Sequence, residues 1–135
     1  MKICILESSY QQSDSPMKDY DPVSDVIRHL EGHECETVYL DKATAVRSVV
    51  ELASKSFDVF MNLCDGAWDE DRAGIEVVQT LERLGLPFTG ATSKFYEPTR
   101  EMMKRVCHFW GIKAPAYVFA TDSQCIKLAE EFLKF

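Results

Sequence analysis

Two loops of this chain carry carboxylates at the ends of apolar runs. Residues 7–21 (ESSYQQSDSPMKDYD) hold Glu7, Asp14, Asp19 and Asp21, and residues 64–72 (CDGAWDEDR) hold Asp65, Asp69, Glu70 and Asp71. Each loop follows a short apolar run of strand character, KICIL at 2–6 and FDVFMNL at 57–63. Ligands of open α/β sheets bind beyond the carboxyl ends of their strands, so both loops are candidate site loops. Asp65-Gly66 stands at the close of its run, where an Asp-Gly pair also serves as a plain turn. Asp69, Glu70 and Asp71 precede a helical stretch, and complementing the positive end of its dipole accounts for them.

Other chemistries lack their residues. No GxGxxG or GxxxxGK[ST] phosphate loop is present, and no GxSxG nucleophile elbow. The five cysteines (Cys4, Cys35, Cys64, Cys107, Cys125) are odd in number and form no CxxC. They read as reduced thiols of a cytoplasmic protein. His29, His33 and His108 show neither metal-ligand nor dyad spacing. A net charge of -7 without a basic patch argues against nucleic acid as a partner. No apolar run is long enough for a membrane span. The N-terminus turns polar at Glu7, too early for a signal peptide.

The elements that position these loops alternate between strand and helix. Strands are expected at 2–6, 35–40, 57–63, 86–89 and 116–120. Helical spacing runs through Val23, Val26, Ile27 and Leu30, through Val46, Val49, Val50 and Ala53, and through Ile75, Val78, Leu81 and Leu84. A further helix has Pro98 in its first turn and ends at Gly111, and the last spans 122–135. This alternation implies βαβ units and an α/β fold with a mainly parallel sheet covered on both faces, a three-layer Rossmann-like arrangement. At 135 residues and 46% apolar, the chain has the size and composition for a substantial core.

Residues 57–119 carry a more specific pattern. FDVFMNLCDG at 57–66 is followed by LGLPFTG at 84–90, PTREMMK at 98–104 and GIKAPAYVF at 111–119. This order resembles the D-alanine–D-alanine ligase-like ATP-grasp family. There a strand ends in N-A-L-H-G or N-L-x-E-G, and a helix leads to G-[IL]-P-[YF]-T-G. A helix with D-K-x-x-x-K and then G-[IL]-x-x-P-x-[YW] follow. The resemblance implies an N-terminal, pre-ATP-grasp domain over 1–111 and the start of the central domain over 112–135. The activity implied is ATP- and Mg2+-dependent ligation of a carboxylate to an amine through an acyl phosphate.

Roles carry over position by position. Arg100 stands at the first lysine of D-K-x-x-x-K, which contacts ATP phosphate in the family, and Lys104 stands at the second. A guanidinium offers phosphate oxygens a planar fork. A solvated helix face is the alternative for both cations. Asp65 and Gly66 stand where the family has His-Gly or Glu-Gly beside the substrate, so the family's histidine is missing. The first loop also lacks the family's glycine pair. Glu7, Asp19 or Asp21 stands in for the glutamate that holds a substrate ammonium. An amino acid or other small carboxylate or amine is the implied partner, D-alanine being only the default. Homodimers are common in the family, with Phe95, Tyr96, Phe109 and Trp110 as candidate interface aromatics and burial within the domain as the alternative for each.

The family's next strand, P-[LVM]-[IV]-V-K-P, would follow residue 135. The chain alone is therefore expected to lack ligase activity and tight ATP binding. The alternatives are a stand-alone binding or scaffold domain and a flavodoxin- or receiver-like domain.

Overall fold

Three parallel strands form the sheet of the unit Met1–Glu97: β1 (Lys2–Ser8), β2 (Glu34–Leu40) and β3 (Val59–Asn62), in the order β2-β1-β3. The computed structural model describes residues 1–8, 10, 16, 24–119 and 122–132. Strand β1 pairs with both neighbours, Ile5 facing Thr37 of β2 and Met61 of β3. Its side chains alternate between faces. Cys4 and Leu6 join the main core, and Ile3 and Ile5 on the opposite face are buried as well. A strand apolar on both faces is what the central position of a parallel sheet demands. The α/β class expected from the alternating pattern is thus present.

Helices α1 (Ala45–Ala53) and α2 (Ile75–Arg83) pack on each other over the face that carries Cys4 and Leu6. Their buried residues recur at helical spacing: Ala45, Val49 and Leu52 on α1, and Val77, Val78 and Leu81 on α2. Each large aliphatic side chain buried there contributes roughly 2 kcal/mol of transfer free energy. Helix α2 stops at Gly85, whose φ of 63° lets Leu86 N–H reach back to the Leu81 carbonyl at 3.0 Å.

Three expected elements differ. Residues 86–89 make one parallel bridge, Phe88 opposite Phe60, rather than a strand. Pro87 has no N–H to extend a ladder, although its carbonyl accepts Phe60 N–H at 2.9 Å and Thr89 N–H reaches the Phe60 carbonyl at 3.0 Å. The stripe expected from Val23 to Leu30 gives only a 3-10 turn at Ile27–His29, with Val23 outside the described residues. Ile27 is half exposed there, so no burial propagates a helix. Residues 116–119 form no strand, Ala120 lying outside the described residues. An extended segment needs a strand edge to pair with, and the described elements of its own unit are helices.

The chain divides into two compact units, Met1–Glu97 and Pro98–Phe135. The division falls ahead of helix α3 (Arg100–Phe109), whereas the sequence pattern set a boundary after Gly111. Thr99 caps α3 by accepting Met102 N–H at 3.1 Å, which leaves Pro98 just outside the helix. Residues 112–119, which form no regular element, and helix α4 (Ser123–Phe132) also belong to the second unit. No helix among the described residues is long and apolar enough to cross a membrane.

Candidate functional site

The carboxyl ends of all three strands send ties to one loop, residues 63–74. From β1, the Ser8 hydroxyl donates to Asp65 Oδ1 at 3.1 Å and accepts the Asp65 N–H at 3.3 Å. From the end of β2, Asp41 bridges Arg72, and Lys42 Nζ donates to the carbonyls of Ala67 (2.9 Å), Trp68 (3.1 Å) and Glu70 (2.5 Å). From β3, the Asn62 side chain accepts Cys64 N–H at 3.2 Å and turns the chain into the loop.

Within the loop, the Arg72 guanidinium bridges Asp65 Oδ1 at 3.0 Å and Glu70 Oε2 at 3.1 Å, with its face on the Tyr10 ring. The hydrogen bond from Arg72 is the main reason the Glu70 carboxyl lies below its usual range. Burial works against the Arg72 charge, but Glu70, Asp65 and the Tyr10 oxygen outweigh it and raise its pKa. Glu70 has a structural partner, then, beyond any interaction with the helix dipole. Asp69 and Asp71 are exposed, and Trp68 at the loop apex is 77% exposed.

Gly66 is fixed by space. It bridges Gly74 and donates its N–H to the Ala73 carbonyl at 3.1 Å. A Cβ on Gly66 would collide with the Arg72 and Ala73 carbonyls, and one on Gly74 with the Gly66 carbonyl. Two backbone segments run side by side here because neither residue has a side chain.

A cleft of about 240 Å³ opens beside this loop, lined by Asn62, Cys64, Asp65, Gly90, Ala91, Tyr96 and Glu97. Gly90 and Ala91 build one wall, set in place by the segment before them. Thr89 Oγ1 accepts Asn62 N–H at 3.1 Å, a hydroxyl taking the place of a strand carbonyl, and Gly90 then turns the chain away. Glu82 of α2 anchors the next turn through Ser93, accepting from its N–H at 3.1 Å and its hydroxyl at 2.6 Å. That turn delivers Tyr96, whose hydroxyl donates to the Cys64 carbonyl at 2.8 Å. Burial, reinforced by Cys64 and the carboxylates of Asp65, Glu76 and Glu97, pushes the Tyr96 phenol well above its ordinary range. Burial likewise raises the Cys64 thiol to about 12. Both groups are therefore neutral walls rather than a nucleophile and a base.

The sequence-derived residues fall into two sets. Asp65 lines the strand-end cleft as a largely exposed carboxylate, and Gly66 is buried behind it against Gly74. Glu7 is 6% exposed at the end of β1, while Asp19 and Asp21 lie outside the described residues. Arg100 and Lys104 belong to the second unit, one turn apart on α3 and so on one face. Arg100 is exposed, and Lys104 Nζ lies over the Tyr117 ring at 5.3 Å. An exposed guanidinium one turn from a stacked ammonium suits phosphate oxygens. Of the aromatics, Phe95, Phe109 and Trp110 are exposed and Tyr96 is largely engaged. Among the described residues no cluster of three His, Cys, Asp or Glu could hold a metal ion.

Sequence reasoning missed Ser8, Lys42 and Arg72, and named Tyr96 only as an interface aromatic. Their partners are 57, 25 to 28, 7 and 32 residues away, so only the fold pairs them. The one local signal was the run of acids ending at Arg72.

No family model matches the chain, and neither a curated protein nor a solved structure matches it significantly.

Proposed function

We propose that this chain is the N-terminal, substrate-side domain of an ATP-dependent carboxylate–amine ligase of the D-alanine–D-alanine ligase-like ATP-grasp family. The observation that carries the reading is the meeting of two motifs in one cleft. Asp65 of the Asp-Gly turn and Gly90, the last residue of the PFTG segment, are separated by a whole helix in sequence and line the same strand-end opening. Burial on both faces of β1 supports a three-layer, Rossmann-like domain. In this reading residues 1–111 are the pre-ATP-grasp domain and residues 112–135 begin the central domain.

The cleft presents Asp65 and Glu97 as carboxylates, Asn62 as an amide and Tyr96 as a neutral phenol. That set suits a small molecule bearing an ammonium, such as an amino acid, and disfavours a free anion. Asp65, held by Ser8 and Arg72, is the substrate-side carboxylate in place of the family's histidine. Fixed loops of this kind orient a substrate without a reorganisation cost on binding. When bound, Mg-ATP supplies the phosphoryl group that activates the carboxylate, the metal offsetting phosphate charge. Arg100 and Lys104 are the residues of this chain that would face its phosphates. A second copy of the chain is the expected protein partner.

The test is a two-part titration. Adding amino acids to the isotope-labelled chain is expected to shift amide resonances at 62–66 and 90–97, and calorimetry with Mg-ATP is expected to show no micromolar site. Micromolar ATP binding by these 135 residues, or amino-acid shifts confined to residues outside the cleft, would overturn the reading.

A further inference from the structure

We propose that Lys42 is the positioning residue of the strand-end cleft, its ammonium filling a seat of three backbone carbonyls that fixes residues 66–74 and, through them, Asp65. An ammonium has three N–H donors and no acceptor. Here each donor has a carbonyl: Ala67 at 2.9 Å, Trp68 at 3.1 Å and Glu70 at 2.5 Å. Three carbonyl dipoles converging on one point repel each other unless a cation sits there. The loop conformation and the charge on Lys42 therefore require each other.

The seat is linked to the cleft by a short chain of contacts. The Glu70 carboxylate accepts Ala67 N–H at 3.3 Å and holds Arg72, and Arg72 holds Asp65. Lys42 is itself fixed by its position next to Asp41, which bridges Arg72. Removing the ammonium takes the lysine donor from all three carbonyls and leaves Ala67 only the Glu70 N–H at 3.2 Å. The loop then opens, Trp68 loses its anchored backbone and Asp65 loses its fixed position. Cutting the side chain back to Cβ leaves a vacancy shaped for a small organic ammonium. The inference stands on this geometry and not on the ligase reading, since none of its readouts is activity.

The chain has two tryptophans, Trp68 and Trp110, so W110F makes Trp68 a sole fluorescent reporter. In that background K42M is expected to keep its far-UV circular dichroism, to lower Trp68 anisotropy, and to speed amide exchange across 66–74 by about tenfold or more. In K42A, methylammonium chloride is expected to restore slow exchange, and sodium chloride at equal ionic strength is not. Exchange in K42M within about twofold of the parent, or equal rescue of K42A by both salts, overturns the proposal. Should the variants fail to fold, acetylation kinetics of the unmodified protein decide. Lys42 is expected to react about tenfold more slowly than the exposed Lys94, and equal rates overturn the proposal.

Discussion

Ser8 and Asp65 exchange hydrogen bonds across the carboxyl end of the sheet, hydroxyl to carboxylate and amide to hydroxyl. The pair joins the first strand to the turn after the third, and Asp65 lines the cleft. S8A removes the donor and the acceptor together, and its expected cost is about 1 kcal/mol in urea denaturation. D65A acts on a largely exposed carboxylate whose ion pair is screened, so its stability cost is expected to stay below about 1 kcal/mol. Its effect falls on binding: amino-acid-induced shifts at 62–66 should disappear. A D65A protein that loses several kcal/mol while still binding amino acids would show that Asp65 is structural.

The parts legible in the sequence were those written in local patterns. The stripe from Val46 to Ala53 locates α1, although Val46 and Val50 are exposed and Ala45 and Leu52 join Val49 in the core, Val78 and Leu81 locate α2, and the apolar run at 2–6 specifies a strand. Asp65-Gly66 could be placed at a strand end because turn chemistry is local. What the pattern hid depends on pairing at a distance. Phe88 looks like a strand residue, yet Pro87 and Gly90 confine it to one bridge. Lys42 and Tyr96 look like any surface lysine and tyrosine until the fold brings backbone carbonyls to their polar ends.

Gly66 and Gly74 are close because neither has a side chain. G66A places a methyl group against the Arg72 and Ala73 carbonyls, which are backbone and cannot turn aside. The expected loss is about 3 kcal/mol, at the upper end for overpacking. G85A is the control: open space surrounds it and only its positive φ resists a side chain. Its expected cost is about 1 kcal/mol. Equal urea midpoints for the two variants would show that the close approach at Gly66 is relaxed in solution.

Burial sets the chemistry of two thiols. It raises Cys64 to about 12 and Cys4 to about 11, from an ordinary 9.0. In the folded protein both should resist alkylation at pH 8, while the less buried Cys35, Cys107 and Cys125 react. The linkage has one sign. The folded state holds these protons more tightly than the unfolded chain, so their stabilisation is complete below pH 9 and falls as pH rises from 9 through 11 and 12. Each unit of difference corresponds to about 1.4 kcal/mol at most. Denaturation midpoints measured from pH 8 upward should therefore fall, and C64A should flatten the decline. A steeper decline in C64A would contradict this assignment.

Tyr96 joins the PFTG side of the cleft to the Asp-Gly side through a single hydroxyl. Glu82, by holding Ser93, sets the turn from which it projects. Y96F keeps the ring and deletes only the donor, which leaves the Cys64 carbonyl without that bond. A half-buried carbonyl in this position should cost about 1 to 2 kcal/mol, more than an exposed hydrogen bond and less than a core cavity. Because the bond spans two walls, exchange should quicken at both 64–66 and 93–97, not at one alone. An amino acid in the cleft would brace both walls and slow that exchange again. Y96F with unchanged stability and unchanged exchange at both segments would mean that the walls are held by Glu82 and Lys42 without it.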